Sequence, residues 1–263
     1  EVAAMLMRPG DWMITVDMKA GYHQIPVKPW FRRLLCFEWE GKVYQWQVLP
    51  FGLSTAPRAY SKLTRAVMKQ WRRRGIRVSN YIDDFIFFAS SRDEALRIRG
   101  IVLADLSRLG WFISPAKSMR EPGSTVHYLG LVFCSLPVPH LRVPHAKVSY
   151  LRESMRQLVR RAAAGPVRVK GKTLASILGF LQSLRLAVPV VGLFSRELYA
   201  CLGSLPRSEE GYLEYGATAE LTAAALSECE FWYRHLPAWN GFLLPPRAVS
   251  RVLYTDASGR GYG

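Results

Sequence analysis

An α+β fold is what the sequence predicts, on three observations. Short apolar, β-prone runs dominate the first half of the chain, apolar residues at helical spacing dominate the second, and no internal repeat relates the two. At 263 residues and 49% hydrophobic composition the chain can bury a sizeable core, which excludes a disordered tail.

Residues 13–16 form an apolar run that delivers Asp17 at its end. The runs 34–37 and 43–48 flank Glu40-Gly41 and read as a hairpin. Pro57 suits the first turn of a helix, behind which Tyr60, Leu63, Thr64, Val67, Met68 and Trp71 recur at helical spacing until Gly75 closes it. The opposite face of that helix carries Lys62, Arg65, Lys69 and Arg72. Residues 78–89 read as strand, turn and strand with Asp83-Asp84 at the turn, and Ser91 with Glu94 makes a capping box for a helix ending near Gly110. Stretches 111–113 and 127–133 read as further strands. Val148, Leu151, Met155, Leu158 and Ala162 then form one helical stripe, and Leu174, Ile177, Leu178, Leu181 and Leu184 another. Residues 203–211 are linker-like. A last helix carries Leu221, Ala225, Cys229, Trp232 and Leu236, and a strand at 252–255 presents Asp256.

Lys and Arg number 36 against 20 Asp and Glu, a formal net charge of +16. Such a surplus points to a polyanionic partner, nucleic acid or an anionic membrane, rather than to a merely solubilising surface. The longest strongly apolar stretch, 186–194, contains a proline and is too short to span a bilayer, so nucleic acid is expected and a membrane is not. The charge is patchy. No acid occurs between Gly41 and Ile82, Glu153 is the only acid of a second basic block at 142–172, and the sign flips after Arg207. Blocks of opposite sign suggest separate modules. Cys36, Cys134, Cys201 and Cys229 have neither metal-type nor disulfide-type spacing, and read as small core hydrophobes of a reducing, intracellular protein, cytoplasmic or nuclear. Opening on Glu1 with no targeting segment, the chain reads as a piece of something longer.

The chemistry lies in the aspartates. Asp17 and Asp83 each end an apolar strand, and two strands of one sheet can bring them together. Paired carboxylates repel unless a cation sits between them. Mg²⁺ fits, because it binds through one or two carboxylates and takes its remaining ligands from water and substrate phosphates. Neighbouring strand residues face opposite sides, so Asp83 rather than Asp84 is expected to share the metal with Asp17. An Asp-Asp pair at a hairpin tip is more often ordinary turn chemistry. The unbroken apolar framing, Tyr81-Ile82 before and Phe85-Ile86-Phe87-Phe88 after, is what a solvated turn has no need of.

Five boxes in order carry a resemblance. Tyr81-Ile82-Asp83-Asp84 resembles the Tyr-x-Asp-Asp box of reverse transcriptases. Ile14-Thr15-Val16-Asp17, followed by Ala20-Gly21-Tyr22-His23-Gln24-Ile25, resembles their first catalytic box, and Leu49-Pro50-Phe51-Gly52-Leu53-Ser54-Thr55-Ala56-Pro57 their nucleotide-pocket loop. Leu109-Gly110-Trp111 through Pro115-Ala116-Lys117 resembles the fourth box, and Tyr128-Leu129-Gly130-Leu131 the primer grip. Downstream, Ile177-Leu178-Gly179 and Arg196-Glu197-Leu198-Tyr199 look like a thumb of the DIRS type, and Tyr254-Thr255-Asp256-Ala257-Ser258 like the opening strand of an RNase H domain. The resemblance is closest to DIRS-type (tyrosine-recombinase) and gypsy-type retrotransposon polymerases.

The resemblance implies a right-hand polymerase: an antiparallel-sheet palm with partial fingers at 1–141, a helical thumb at 142–205, a connection at 206–250, and the first strand of a truncated RNase H domain at 251–263. It implies two-metal nucleotidyl transfer from dNTPs onto a primer on an RNA or DNA template, with two Mg²⁺ ions and Mn²⁺ as a substitute. Asp17, Asp83 and Asp84 become the catalytic metal-site acids. Tyr22 becomes a steric gate against the 2′-hydroxyl, Phe51 and Gly52 line the incoming base pair, and Lys117 sits near the leaving pyrophosphate. Tyr128, Leu129 and Gly130 become the primer grip, and Asp256 a first RNase H acid without its companions. Lys62, Arg65, Lys69 and Arg72, with Lys147, Arg152, Arg156 and Arg160 of the thumb, are the expected nucleic-acid contacts. The competing expectation is an inactive retroelement fragment that only binds nucleic acid, against which the intact Asp17, Asp83 and Asp84 speak.

Overall fold

A computed structural model describes residues 1–244 and the short strand pair Ala257–Ser258 with Gly261–Tyr262, and in it the first half of the chain is organised by a three-stranded antiparallel sheet. Strand β1 (Trp12–Asp17) pairs with β5 (Asp84–Ala89), which pairs in turn with β4 (Arg77–Tyr81). A short helix α1 (Val2–Leu6) precedes the sheet. Arg77 ties it down, donating to the Leu6 carbonyl and bridging both carboxylate oxygens of buried Asp11 at 2.7 Å. Next come helix α2 (Pro29–Arg32) and the hairpin β2 (Cys36–Trp39) and β3 (Lys42–Gln45), closed by Glu40 and Gly41 at φ 50° and 72°. Left-handed backbone at both central positions matches the twist of a two-residue hairpin.

One face of the three-stranded sheet is covered by α3 (Ala56–Arg73) and α4 (Arg92–Arg108). Ile14, Val16, Val78, Phe85 and Phe87 meet Met68, Trp71, Ile98, Val102 and Leu106 there, with the Trp71 ring 5.8 Å from Phe85 and 5.5 Å from Phe87. Burying each such side chain contributes about 1.5–3 kcal/mol, so this face sets the register of the sheet. Ser91 caps α4 by accepting from the Glu94 backbone, while the Glu94 carboxylate accepts from Ser90 rather than from Ser91.

The other face carries Met13, Ile86 and Phe88, which belong to a second core. Strands β6 (Thr125–Tyr128), β7 (Leu131–Cys134) and β8 (His140–Arg142) form the next sheet, followed by α5 (His145–Ala162), β9 (Arg168–Lys170), α6 (Gly171–Ser183) and α7 (Arg196–Gly203). Then β10 (Thr218–Glu220) pairs with β9, α8 (Ala223–Trp239) lies along α5, and β11 (Phe242–Leu243) extends the sheet at β8. Buried Glu228 of α8 accepts from the Glu197 and Leu198 backbone and so caps α7. The chain after residue 205, expected as a separate connection, therefore shares the core of the helical half up to Leu244. The small pair β12 (Ala257–Ser258) and β13 (Gly261–Tyr262) completes the described residues.

Three local expectations change. Stretch 127–133 is two strands, because Leu129 and Gly130 both take left-handed backbone (φ 48° and 75°) and close a hairpin with Tyr128 opposite Leu131. Stretch 111–113 holds only one bridge, Ile113 to Met18; the Phe112 carbonyl accepts from the Lys19 N–H and the Gln24 side chain, whose oxygen takes the Phe112 N–H. Cys36 is exposed, not core, whereas Cys134, Cys201 and Cys229 are buried free thiols. No helix among the described residues is long and apolar enough to cross a membrane. The strand expected at 252–255 and Asp256 lie outside the described residues.

Candidate active site

Strand register decides which carboxylates meet. Asp17 at the end of β1 stands opposite Asp84 at the start of β5, and alternation puts both on the face of Met13 and Ile86, away from α3. The reading of Asp83 as the metal ligand shared with Asp17 took Asp83 and Asp84 as neighbouring strand residues. Tyr81 instead pairs with Asp84, so Ile82 and Asp83 are the turn and only Asp84 is in the ladder. Ile82 takes φ 54°, a conformation that a β-branched side chain rarely adopts. Asn80 steadies the turn, its side-chain amide donating to the Ile82 carbonyl at 2.9 Å.

The Asp84 carboxyl is hydrogen bonded to that of Asp17, and its pKa is pushed up to about 6. Burial is the main cause, followed by the Asp17 hydrogen bond and the charges of Asp83 and Asp17; Lys117 pulls the other way. The two acids line a cavity of about 330 Å³ with Thr15, Lys117, His127 and Tyr128. Lys117 is delivered there by a segment laid along β1: Ser114 N–H donates to the Asp17 carbonyl, Met119 N–H to Thr15, and the Ser118 hydroxyl accepts from the Asp17 N–H.

Two facing carboxyl side chains suit a hard cation taking its other ligands from substrate and water. Among the described residues no group of three or more His, Cys, Asp or Glu side chains is placed to hold a metal by itself.

Tyr22 lies on a single 3₁₀ turn, Gly21–Gln24, that Gln24 fastens to residue 112. Its ring meets Phe51 at 5.4 Å and Tyr60 edge-on at 5.6 Å. Burial and the nearby Asp83 charge raise its pKa. Tyr60 is fully buried, and a Cβ on Gly21 would stand 2.8 Å from its ring, so the turn needs glycine to receive it. Phe51 is 67% exposed beside Gly52, whose φ of 85° favours glycine.

The primer-grip candidates form the tip of the β6–β7 hairpin. The Tyr128 hydroxyl donates to the main-chain carbonyl of Asp84 at 3.0 Å, Leu129 is exposed, and the Gly130 carbonyl accepts from Lys147 at 3.0 Å. Sequence reasoning assigned Tyr128 by register but had no signal for its contact with Asp84, nor for the roles of Asn80, Ser118 and Gln24.

The basic residues separate into two groups. Arg72 donates to the Val78 carbonyl, Arg152 to the Tyr233 carbonyl while covering the Tyr233 ring, and Arg156 bridges Glu153. Lys147 holds Gly130. These four, expected to contact nucleic acid, also have partners within the protein. The side chains of Lys62, Arg65, Lys69 and Arg160 make no hydrogen bond or ion pair among the described residues. Arg65 and Lys69 line a groove with Met68, Arg72 and Arg73 on α3, behind the sheet from the carboxylates.

Residues 3–133 match the family model described as reverse transcriptase (RNA-dependent DNA polymerase). Among curated relatives, the Gag-Pol polyprotein of avian leukosis virus subgroup A is 31% identical over 132 residues, which is 46% of this chain and 8% of that protein. The enzymatic polyprotein of Cestrum yellow leaf curling virus is 33% identical over 48% of this chain and 19% of its own length. The Pro-Pol polyprotein of feline foamy virus is 26% identical over 84% of this chain and 18% of that protein. The chain thus spans less than a fifth of each of these relatives. The solved foamy viral protease–reverse transcriptase in complex with double-stranded DNA superposes with a TM-score of 0.69 at 20% identity, over 95% of this chain and 47% of that one. The same enzyme in complex with an RNA/DNA hybrid gives 0.68 at 20% identity, over 90% and 29%. Likeness at that identity establishes the fold, that of a right-hand polymerase.

Proposed function

Because residues 3–133 belong to the reverse transcriptase family, we propose that this chain is an RNA-directed DNA polymerase, transferring nucleotidyl groups from dNTPs onto a primer annealed to an RNA or DNA template. The observation that carries the proposal is the Asp17–Asp84 carboxylate pair, with Asp83 in the adjoining turn. Two divalent cations, Mg²⁺ or its substitute Mn²⁺, would supply charge stabilisation of the attacking and leaving oxygens. Asp17 and Asp84 hold them, and Asp83 completes the acidic edge. Lys117, whose charge reaches Asp84, faces the leaving pyrophosphate. Tyr22, braced by Phe51 and Tyr60, lies beneath the sugar, with Phe51 and Gly52 against the base pair. Leu129 and Gly130 touch the primer, and Lys62, Arg65, Lys69 and Arg160 are left for phosphates.

The similar foamy viral enzymes bind double-stranded DNA and an RNA/DNA hybrid, and a template–primer duplex is the partner proposed here. The finer reading, a retrotransposon polymerase of DIRS or gypsy type working inside the cell, rests on the wording of the boxes around Asp17 and Phe51.

Primer extension on an RNA template tests the proposal. Metal-dependent incorporation is expected, lost in Asp17→Asn and Asp84→Asn while template–primer binding survives. Near-normal incorporation by Asp17→Asn overturns the site. Binding without any incorporation by the unaltered chain supports the competing reading, a protein that only holds nucleic acid.

A further inference from the structure

We propose that Tyr128 is a positioning residue for the carboxylate pair: by holding the main chain of Asp84, its hydroxyl sets the direction in which the Asp84 carboxylate meets Asp17. The inference rests on the reading of Asp17 and Asp84 as the metal-holding pair.

The Tyr128 oxygen sits where two strands leave one turn. It donates to the Asp84 carbonyl at 3.0 Å, and Tyr81 stands opposite Asp84 in the ladder. Tyr81 and Asp84 are the residues paired across the Ile82-Asp83 turn, so the bond to Asp84 holds the turn at its base. That turn needs outside support, because Ile82 at φ 54° occupies backbone that a β-branched residue disfavours. Asn80 supports it from the side of α3, through a hydrogen bond to Ile82 and a longer one to Thr64. Tyr128 supports it from the opposite face, the one on which Asp17 and Asp84 stand.

Tyr128 is itself immobilised. Its ring is 5% exposed and packs edge-on against Phe133 at 5.6 Å, so the hydroxyl cannot swing away without opening the core. The hairpin that bears it is pinned at the tip by Lys147 of α5, whose ammonium donates to the Gly130 carbonyl while lying 5.9 Å from the centre of the Phe180 ring. A Cβ at residue 130 would stand 2.6 Å from that nitrogen, so glycine is required there for the clip as well as for the turn. A continuous path thus runs from helix α5 through the β6–β7 hairpin to the Asp84 backbone. Ligand groups held by a second layer of hydrogen bonds lose metal affinity when that layer is removed.

The test is Mn²⁺ titration of the full chain without nucleic acid, followed by paramagnetic resonance of free Mn²⁺, together with template–primer affinity and Mg²⁺-dependent incorporation. Tyr128→Phe keeps the ring and removes one neutral hydrogen bond, so half-saturating Mn²⁺, measured without nucleic acid, is expected to rise about two- to tenfold. Replacing Tyr128 by p-aminophenylalanine, which restores a donor, is expected to return the midpoint to the unaltered value. Lys147→Met, which keeps the stem over Phe180, is expected to raise the midpoint in the same direction and supplies the answer if Tyr128→Phe does not fold. An unaltered midpoint in Tyr128→Phe or, failing that variant, in Lys147→Met overturns the proposal, as does failure of p-aminophenylalanine to rescue. Asp84→Asn separates the two levels. Loss of Mn²⁺ there with a normal Tyr128→Phe sinks only the positioning role. Equal binding by Asp84→Asn and the unaltered chain sinks the metal-pair reading and the proposal with it.

Discussion

The hairpins β2–β3 and β4–β5 each close through a two-residue turn with left-handed backbone, yet every strand residue of the first is exposed while β5 is buried from Phe85 to Ala89. Local chemistry explains the first turn, where Gly41 takes φ 72° at no steric cost. It does not explain the second, where isoleucine takes φ 54° at a cost on the order of 1–3 kcal/mol. That conformation persists because the strands on either side have no freedom. β5 is paired over its whole length to β1, and Phe85 and Phe87 are wedged against Trp71. Strain is therefore concentrated where the surrounding packing can bear it, at the turn bearing Asp83 and preceding Asp84. The exposed hairpin places Gly41 and Glu40, unbranched at Cβ, in its left-handed turn, where the backbone conformation costs less than it does for isoleucine.

The sharpest break of the comparison is catalytic. Asp17→Asn removes half of the carboxylate pair that the buried sheet presents, and loss of several kcal/mol of charge stabilisation means a fall of about a hundredfold or more in primer extension. Phe37→Ala in the exposed hairpin leaves that pair untouched and is expected to keep Mn²⁺ binding intact. Metal titration beside primer extension checks both; Mn²⁺ lost in Phe37→Ala as in Asp17→Asn would show that the two hairpins are not independent.

Stability gives the next largest effect. Phe87→Ala opens a cavity between the sheet, α3 and α4 and is expected to cost about 3–5 kcal/mol in denaturant unfolding. Phe37→Ala removes a ring that is 43% exposed and stacked on Tyr44, and is expected to cost no more than about 1 kcal/mol. Equal costs would mean that β2–β3 is buried against something in solution.

The same contrast explains what was legible in the sequence. Runs with strong periodicity were read at nearly their observed places: β1, α3, α4, α5, α6 and α8 each carry an apolar stripe that the core receives. Asp17, Asp84, Lys117 and Tyr128 were named from motif register and line one cavity. What failed depended on pairings and contacts that residue type does not mark. Leu129 is no turn residue by type, and only the observed pairing of Tyr128 with Leu131 reveals the hairpin. The residue standing opposite Asp17 in the sheet turned on a one-residue difference in where the turn falls, which composition does not encode. Arg72 and Arg152 looked like free cations because a carbonyl that engages a guanidinium leaves no mark in the sequence. The expectation of an RNase H strand concerns residues beyond those described.

Proton binding sharpens the comparison further, because strain and repulsion share the same edge. The Asp84 carboxyl goes from an ordinary value of 3.8 to about 6 in the fold, with burial the main cause. The folded state therefore binds this proton more tightly than the unfolded chain, so the group's contribution to stability is fully present below about pH 4. It is lost as pH rises through about 6. In chelator, the melting temperature of the unaltered chain minus that of Asp84→Asn is expected to decline from pH 4 to pH 7. Divalent metal, taking the proton's place, is expected to reverse the decline. Parallel pH curves for the two proteins would remove Asp84 as the titrating group.

The smallest effect is the most direct test of strain. Ile82→Gly relieves a left-handed β-branched residue, a gain on the order of 1–3 kcal/mol. Against it stand the extra unfolded-state entropy of glycine, roughly 0.5–1 kcal/mol, and the loss of a half-buried side chain. These terms nearly cancel, so the variant is expected to lie within about 1 kcal/mol of the unaltered chain, neutral or more stable. Gly41→Ala in the exposed hairpin has the opposite sign. It forces a Cβ onto φ 72° with no surrounding packing to enforce the turn, and is expected to destabilise by about 1–2 kcal/mol locally. Chemical denaturation reports the first variant, and amide exchange across Cys36–Trp39 and Lys42–Gln45 reports the second. A loss above about 2 kcal/mol in Ile82→Gly would mean that the isoleucine side chain, not its backbone, dominates at this turn.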